Sequence, residues 1–346
     1  MPRTSRVVAC LGGGRTAIEK REVAEPRARE LLVRMRCSGL CGTDIFKLAT
    51  GRDGPGLVLG HEIVGEVLSV GSEVSRFAVG DRVVTAHHAP CGACDLCERG
   101  SETMCPTFRD NLLDPGGFSD VIRVLARATD HTTYRIPDSL SDEVAVFMEP
   151  AACVLRGVRK SRLSPGAACV ILGGGSMGLL HLLVLRAVLP SLSTLLVDPL
   201  STRRELATRL GANVTAAPGD ALQEIQKLTG SRGADGVFDT VGGCERLREA
   251  LSLCRPGGTV TLFAHAPEGA FADFDLNELF KHEKRIIGTY SGSLKEQAET
   301  FSLLESGRLD PSPLVTHKLP LDSFEEGVRL AREHEALKVL FLGKTN

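Results

Sequence analysis

The run Ala167-Ala-Cys-Val-Ile-Leu172 is apolar throughout, breaks into Gly173-Gly174-Gly175-Ser176-Met177-Gly178, and continues as "MGLLHLLVLRAVL" at helical spacing. A strand that ends in glycines and feeds a helix restricts what the chain can become. The alternation repeats downstream. "STLLVD" reads as a strand, and "TRRELATRLGA" as a helix closed by Gly211. "GVFDTVGG", "GGTVTLFAH" and "RIIGTYSG" continue the pattern. Strand and helix in alternation predict a parallel sheet with helices on both faces, a doubly wound α/β unit.

Residues 1 to about 148 have another texture. Short β-rich runs, "LLVRMRCSGL", "HEIVGEVLSVG", "DRVVTAH" and "FSDVIRV", are divided by Gly and Pro. Gly12-Gly13-Gly14 reads as a hairpin turn, because no helical pattern follows it. After about Gly292 come a helix near 295–306 and mixed elements to 343. With 346 residues, 42% of them hydrophobic, the chain is long enough for about two domains.

The net charge of −2 and the lack of any long Lys/Arg run give no argument for nucleic acid or a membrane surface as partner. The start, Met1-Pro-Arg-Thr-Ser-Arg, is followed by no apolar signal core. The most apolar segment, Leu179–Leu189, holds His181 and Arg186 and falls short of the roughly 18 residues of a membrane span. A soluble cytoplasmic protein is expected. Eleven cysteines, an odd number, point to reduced thiols.

Four of those cysteines crowd into "CGACDLCERGSETMC". The gaps of C-x2-C-x2-C bring sulfurs to one point, and a fourth can close a tetrahedron. Pro90, Gly92 and Gly100 allow the tight turns. The alternative is four buried or redox thiols. Four thiolates suit Zn²⁺ and leave no open position, so Cys91, Cys94, Cys97 and Cys105 are expected to hold a structural zinc. A reacting metal would sit elsewhere. Cys41-Gly42-Thr43-Asp44 closes one β-rich run and Gly60-His61-Glu62 opens another. Taken alone, Cys41 reads as a core cysteine and His61 as a turn histidine.

Together, "GHEIVGEVLSVGSEV", the upstream "CGTD" and the cysteine lobe resemble the zinc-type, medium-chain alcohol and polyol dehydrogenases. The resemblance runs from about residue 30 to the C-terminus. It implies a GroES-like β-barrel catalytic domain over 1–150 and 292–346, and a Rossmann NAD-binding domain over 151–291. It implies two zincs per chain, one structural and one catalytic. Cys41 and His61 become catalytic ligands, with Glu62 as a third ligand in the manner of the sorbitol dehydrogenase branch. Glu149, in "FMEPAACVLRGV", falls where that branch and the threonine branch place a glutamate. It binds zinc or holds its water, or else is only a helix-start carboxylate before Pro150. Thr43 matches the hydroxyl that relays the substrate proton. The histidine that often extends that relay is replaced by Phe46, and His87 and His88 are weak candidates for the site.

Within the glycine turn, Gly173 makes the bend, Gly175 lets backbone approach a pyrophosphate and Gly178 packs helix on strand. Ser176 and Met177 open the helix whose N-terminus faces the negative charge. Asp198, twenty residues past Gly178, can bond the ribose hydroxyls and repel a 2′-phosphate, which favours NAD over NADP. Arg203 matches the family's adenosine-side basic residue, and Arg204 beside it complicates that preference. The expected reaction is hydride transfer between a secondary alcohol, such as a polyol or sugar, and NAD. Simple alcohol or aldehyde dehydrogenation and L-threonine dehydrogenation are the alternatives within the class. Outside it stands a non-catalytic zinc-stabilised nucleotide-binding protein, against which Cys41 and His61 together speak. "KHEKRIIGTYSG" reads as the last strand of the Rossmann sheet, a bare edge, and the resemblance implies that it pairs with its two-fold mate in a homodimer or homotetramer.

Overall fold

Strand Leu31–Gly39 organises the first of the two units into which the computed structural model divides the chain. That unit comprises Met1–Ala152 and Ser293–Asn346, the other Cys153–Gly292. The structure describes residues 3–266 and 269–344. Most side chains of Leu31–Gly39 are buried, because the strand has neighbours on either side. The sheet runs Val315–Pro320, Lys338–Leu342, Leu31–Gly39, Glu62–Val70, Arg82–Ala86, Thr133–Arg135. Val121–Val124 also pairs with Leu31–Gly39, and register shifts at Leu32/Val33 and Met35/Cys37 bend the central strand.

Ahead of this sheet, Arg3–Gly12 and Arg15–Val23 form a hairpin. Its turn residues, Gly13 and Gly14, have φ of +65° and +77°. A two-residue turn that matches strand twist needs positive φ at both positions, which is why glycine is there. The core of the unit joins Val33, Met35, Ile63, Phe118, Phe324 and Phe341. Phe118 packs its ring 4.9 Å from Phe324 and 5.5 Å from Phe341. The C-terminal segment therefore completes the core that the N-terminal strands begin.

The second unit is a six-stranded sheet. Its spatial order is Val214–Ala216, Ser193–Val197, Ala168–Leu172, Ala234–Asp239, Cys254–Leu262, Arg285–Gly288, all parallel. Numbered along the chain this is 3-2-1-4-5-6, the doubly wound order that reverses beside the first strand. Val170, Leu172, Leu195, Val237 and Val260 fill the space against Leu247, Ala250 and Leu251 of helix Cys244–Leu253. Each such burial contributes about 1.5–3 kcal/mol for the larger side chains. Among the described residues no helix is long and apolar enough to cross a membrane.

Candidate active site and metal centres

Cys41 is the N-cap of helix Gly42–Thr50, and the helix start explains how the site is braced. Asp44, three residues on, is fully buried. Its Oδ2 accepts from the Cys41 N–H at 3.1 Å and its Oδ1 from the Gly60 N–H at 3.3 Å. The same Oδ1 lies 3.4 Å from His61 Nδ1. One carboxylate thus ties together the two segments that carry Cys41 and His61. With Nδ1 turned to Asp44, Nε2 is the nitrogen left for a metal. Burial alone would lower the His61 pKa, but the Asp44 carboxylate and Cys41 outweigh it and raise it well above its ordinary value. Gly60 has φ of +90°, and a Cβ there would stand 2.7 Å from the Phe118 backbone nitrogen.

Glu62 opens strand Glu62–Val70 opposite Gly39. A Cβ on Gly39 would lie 2.0 Å from Glu62 Oε2, so the glycine makes room for the carboxylate. Neither Glu62 oxygen has a hydrogen bond of good geometry, although Oε2 is in ion-pair contact with the Lys338 ammonium. Lys338 itself is 3% exposed and donates to the Leu40 carbonyl at 3.2 Å. Burial would lower the lysine pKa, and Glu62 foremost among nearby anions reverses that and raises it. The donor atoms of Cys41, His61 and Glu62 all lie within 4.8 Å of one another. A thiol, an imidazole and a buried carboxylate whose Oε1 has no partner fit a zinc that keeps a position open. Asp44, Gly39 and Lys338 were not singled out in the sequence. The i+3 spacing of Asp44 from Cys41 could have shown a capping residue; nothing local marks Lys338.

The four lobe cysteines also present sulfurs within 4.8 Å of one another. No cysteine is in a disulfide, and Cys94 Sγ is 3.5 Å from Cys97 Sγ. A tetrahedral zinc with bonds of about 2.3 Å spaces its sulfurs by about 3.8 Å, so these residues fit one. Burial would push the Cys105 thiol up, but hydrogen bonds from Thr107 and the Cys91 N–H bring it down to about 6. Cys97, Cys105 and Phe108 form a small core of their own.

A row of rings links the two donor sets. His61 and His87 have centroids 4.7 Å apart, His87 and His88 3.5 Å, His88 and Phe108 5.2 Å. Burial, then the neighbouring histidines, holds His87 well below its ordinary pKa; burial, then His61, takes His88 down to about 3. His87 and His88 are therefore neutral near pH 7 and stack without mutual charge. Thr43 is the second residue of helix Gly42–Thr50, and Phe46 follows one turn on, with the Arg52 guanidinium 5.7 Å above its ring. Glu149 lies buried in the first turn of helix Met148–Ser161.

In the second unit the glycine turn joins strand Ala168–Leu172 to helix Ser176–Val188 at the reversal of strand order. Gly175 is the N-cap, so Ser176, Met177 and Gly178 form the first turn with its outward N–H groups. A Cβ on Gly178 would stand 1.8 Å from the Gly173 carbonyl oxygen, whereas one on Gly175 meets only Arg203 Nη1, at 3.8 Å. The former glycine is needed for packing and the latter leaves space above the turn. Asp198 follows strand Ser193–Val197. Its Oδ2 accepts from the Gly174 N–H at 2.6 Å and its Oδ1 from the Leu200 N–H at 2.8 Å. Arg203 Nη1 is 3.9 Å from Asp198 Oδ2, and Arg204 Nη1 is committed to the carbonyls of Asp198 and Pro199 at 2.7 and 2.8 Å.

A doubly wound sheet with a glycine turn and a buried carboxylate at the end of its second strand, on a chain that also groups metal donors around a β-sheet, fits a dinucleotide-linked oxidoreductase. Residues 27–138 match the alcohol dehydrogenase GroES-like domain and residues 176–306 the zinc-binding dehydrogenase domain. A sorbitol dehydrogenase of Bacillus subtilis is 31% identical over 93% of this chain and 93% of its own. An L-threonine 3-dehydrogenase of Pyrococcus horikoshii is also 31% identical, over 93% of this chain and 94% of its own. The solved alcohol dehydrogenase TADH from Thermus sp. ATN1 superposes with a TM-score of 0.86 at 31% identity, covering 98% of this chain and all of that one (100%). The chain belongs to the zinc-dependent medium-chain alcohol and polyol dehydrogenase family, and it is an enzyme with the GroES-like and Rossmann folds of that family.

Proposed function

We propose that the chain oxidises a secondary alcohol of a polyol, sugar or sugar-like substrate with NAD, using Cys41, His61, Glu62 and Glu149 around a catalytic zinc. The observation that carries the reading is the grouping of a thiol, an imidazole and a buried carboxylate within 4.8 Å. Zinc held there would supply the Lewis acidity that makes a hydroxyl easier to deprotonate, and a nicotinamide held by the Rossmann unit would be the hydride acceptor. Cys41, braced by Asp44, supplies the single thiolate. Glu62 and Glu149 supply carboxylates where simple alcohol dehydrogenases use a further thiolate, and a harder, more polar donor set suits hydroxyl-rich substrates. Thr43 is assigned to take the hydroxyl proton on. Two of the relatives are a sorbitol and an L-threonine dehydrogenase. Phe46 speaks against the threonine reading.

Cys91, Cys94, Cys97 and Cys105 hold a second, structural zinc in this proposal. Gly173, Gly175, Ser176, Met177 and Gly178 seat the NAD pyrophosphate. The Asp198 carboxylate takes the ribose hydroxyls and disfavours NADP, with Arg203 on the adenosine side. Eleven free cysteines support a reducing, cytoplasmic compartment. The proposed assembly is a homodimer or a dimer of dimers through edge strand Arg285–Gly288.

One experiment tests both halves. NADH formation is followed with sorbitol, a simple primary alcohol and L-threonine, alongside metal analysis of the wild type and Cys41→Ser. Polyol turnover with NAD and about two zincs, falling to one in the variant, is the expected result. A single zinc that Cys41→Ser leaves in place overturns the two-site assignment, and turnover of only the simple alcohol overturns the substrate class.

A further inference from the structure

The four neighbouring strands Ala168–Leu172, Ala234–Asp239, Cys254–Leu262 and Arg285–Gly288 are parallel, so their first residues share one edge of the sheet. The glycine turn follows the last residue of Ala168–Leu172, at the opposite edge. A cavity of about 280 Å³ lies at the starting edge, and Arg162, Arg232, Arg255 and Arg285 line it. Each comes from a different segment: one precedes each of three strands or stands at its start, and Arg285 is the first residue of the fourth.

Asp235 is the one carboxylate among the described lining residues. It is already engaged. Oδ1 accepts from Arg255 Nε at 2.6 Å and stands 3.6 Å from Arg232 Nη1, while Oδ2 accepts from the Ala168 N–H at 2.8 Å. Arg162 and Arg285 make no ion pair among the described residues. Four guanidinium groups against one carboxylate leave three positive charges around one small space, in a chain whose net charge is −2. The C-terminus of helix Met148–Ser161 reaches the same cavity and contributes roughly half a negative charge, too little to offset them. Arg162 also has φ of +57°, a backbone state natural to glycine after a helix and not to arginine. Like charges gathered at a concave site repel one another unless an anion joins them.

The residue type narrows the anion. All four cations are arginine, whose planar fork meets phosphate oxygens in pairs, where lysine offers a point charge. The volume is near the lower end of small-molecule sites, about 300 Å³. Among the described residues no aromatic side chain lines it to stack a nucleobase. We propose that this cavity is a second anion site, separate from the coenzyme site, that binds the phosphate of a small phosphorylated metabolite or free phosphate.

The test uses the full-length enzyme saturated with NADH, so that the coenzyme's own pyrophosphate site is filled. Calorimetry is run with glucose 6-phosphate, inorganic phosphate and glucose. Binding of the phosphate-bearing probes but not of glucose is expected, with at least tenfold weaker affinity in Arg162→Gly/Arg285→Gln. Glycine suits the backbone at 162, and the variant removes two of the mutually repelling cations, so the thermal midpoint without ligand should be at or above that of wild type and the affinity for NADH should match it. Glucose 6-phosphate binding tighter than phosphate identifies a phosphorylated metabolite, and equal affinities identify free phosphate. The proposal is overturned if neither probe binds, if the double variant binds as well as wild type, if glucose binds equally, or if NADH competes with the probes.

Discussion

Asp44 holds His61 through a single oxygen that also receives a backbone N–H. Asp44→Asn keeps the shape and removes the charge, so the imidazole loses both its orientation and part of its basicity. A loss of about 10- to 100-fold in zinc affinity or turnover is expected, read by competition with a chelator. Glu149→Ala separates two roles. If the carboxylate binds zinc, zinc content and turnover both fall. If it holds a water beside the metal, zinc stays and the loss is about 10- to 100-fold. Near-wild-type kinetics would leave Glu149 as nothing more than a helix-start carboxylate. At the proposed coenzyme site, Asp198→Ala takes the acceptor away from the Gly174 and Leu200 N–H groups. KM for NAD should rise while NADP use improves, because the repulsion of a 2′-phosphate is gone and Arg203 and Arg204 remain. A wild type that already prefers NADP would show that Asp198 has been misread.

Helix Ser176–Val188 is buried on nearly all sides, and it carries one titratable group inward. His181 is 0% exposed, with Nδ1 2.7 Å from the Met177 carbonyl oxygen and its ring 4.5 Å from that of Phe263. Burial lowers its pKa to about 4, with the Met177 carbonyl opposing. The unfolded chain binds a proton near pH 6.5 that the folded helix refuses. The associated stability is present above pH 6.5 and lost as the pH falls towards 4. By pH 5 this amounts to roughly 2 kcal/mol. Urea midpoints should therefore drop between pH 7 and pH 5, and His181→Leu should flatten that drop while lowering the midpoint at pH 7. An unchanged slope in the variant would assign the acid sensitivity to other groups.

For the whole molecule, the outer edge of the Rossmann sheet matters most. Strand Arg285–Gly288 has a partner on one side only. Just before it, Phe271, Leu276 and Phe280 are 90%, 73% and 81% exposed. A bare edge beside exposed aromatics favours association. Light scattering of the wild type at micromolar concentration should give a dimer or tetramer, and Phe280→Asp should shift it towards smaller species. A monomeric wild type would contradict the proposed assembly.

The readable part of this protein lies within short windows. The strand–glycine–helix alternation predicted the doubly wound sheet because side-chain period and turn residues are local properties, and the GroES-like and Rossmann pairing came through as family motifs. The lobe cysteines fall within fifteen residues, so their convergence was legible from spacing. The place of Asp198, at a strand end beside the glycine turn, was legible because one strand–turn–helix–strand passage has a nearly fixed length. Other features required sheet register. Lys338 begins a strand that looks like any apolar edge, yet pairing Leu340 with Gly39 carries it to Glu62. Gly39 is a room-making glycine only because Glu62 is its cross-strand partner. Phe341 meets Phe118, and four arginines meet at one sheet edge, for the same reason. Sequence period says which face a residue takes, but only strand order and register decide what stands opposite it.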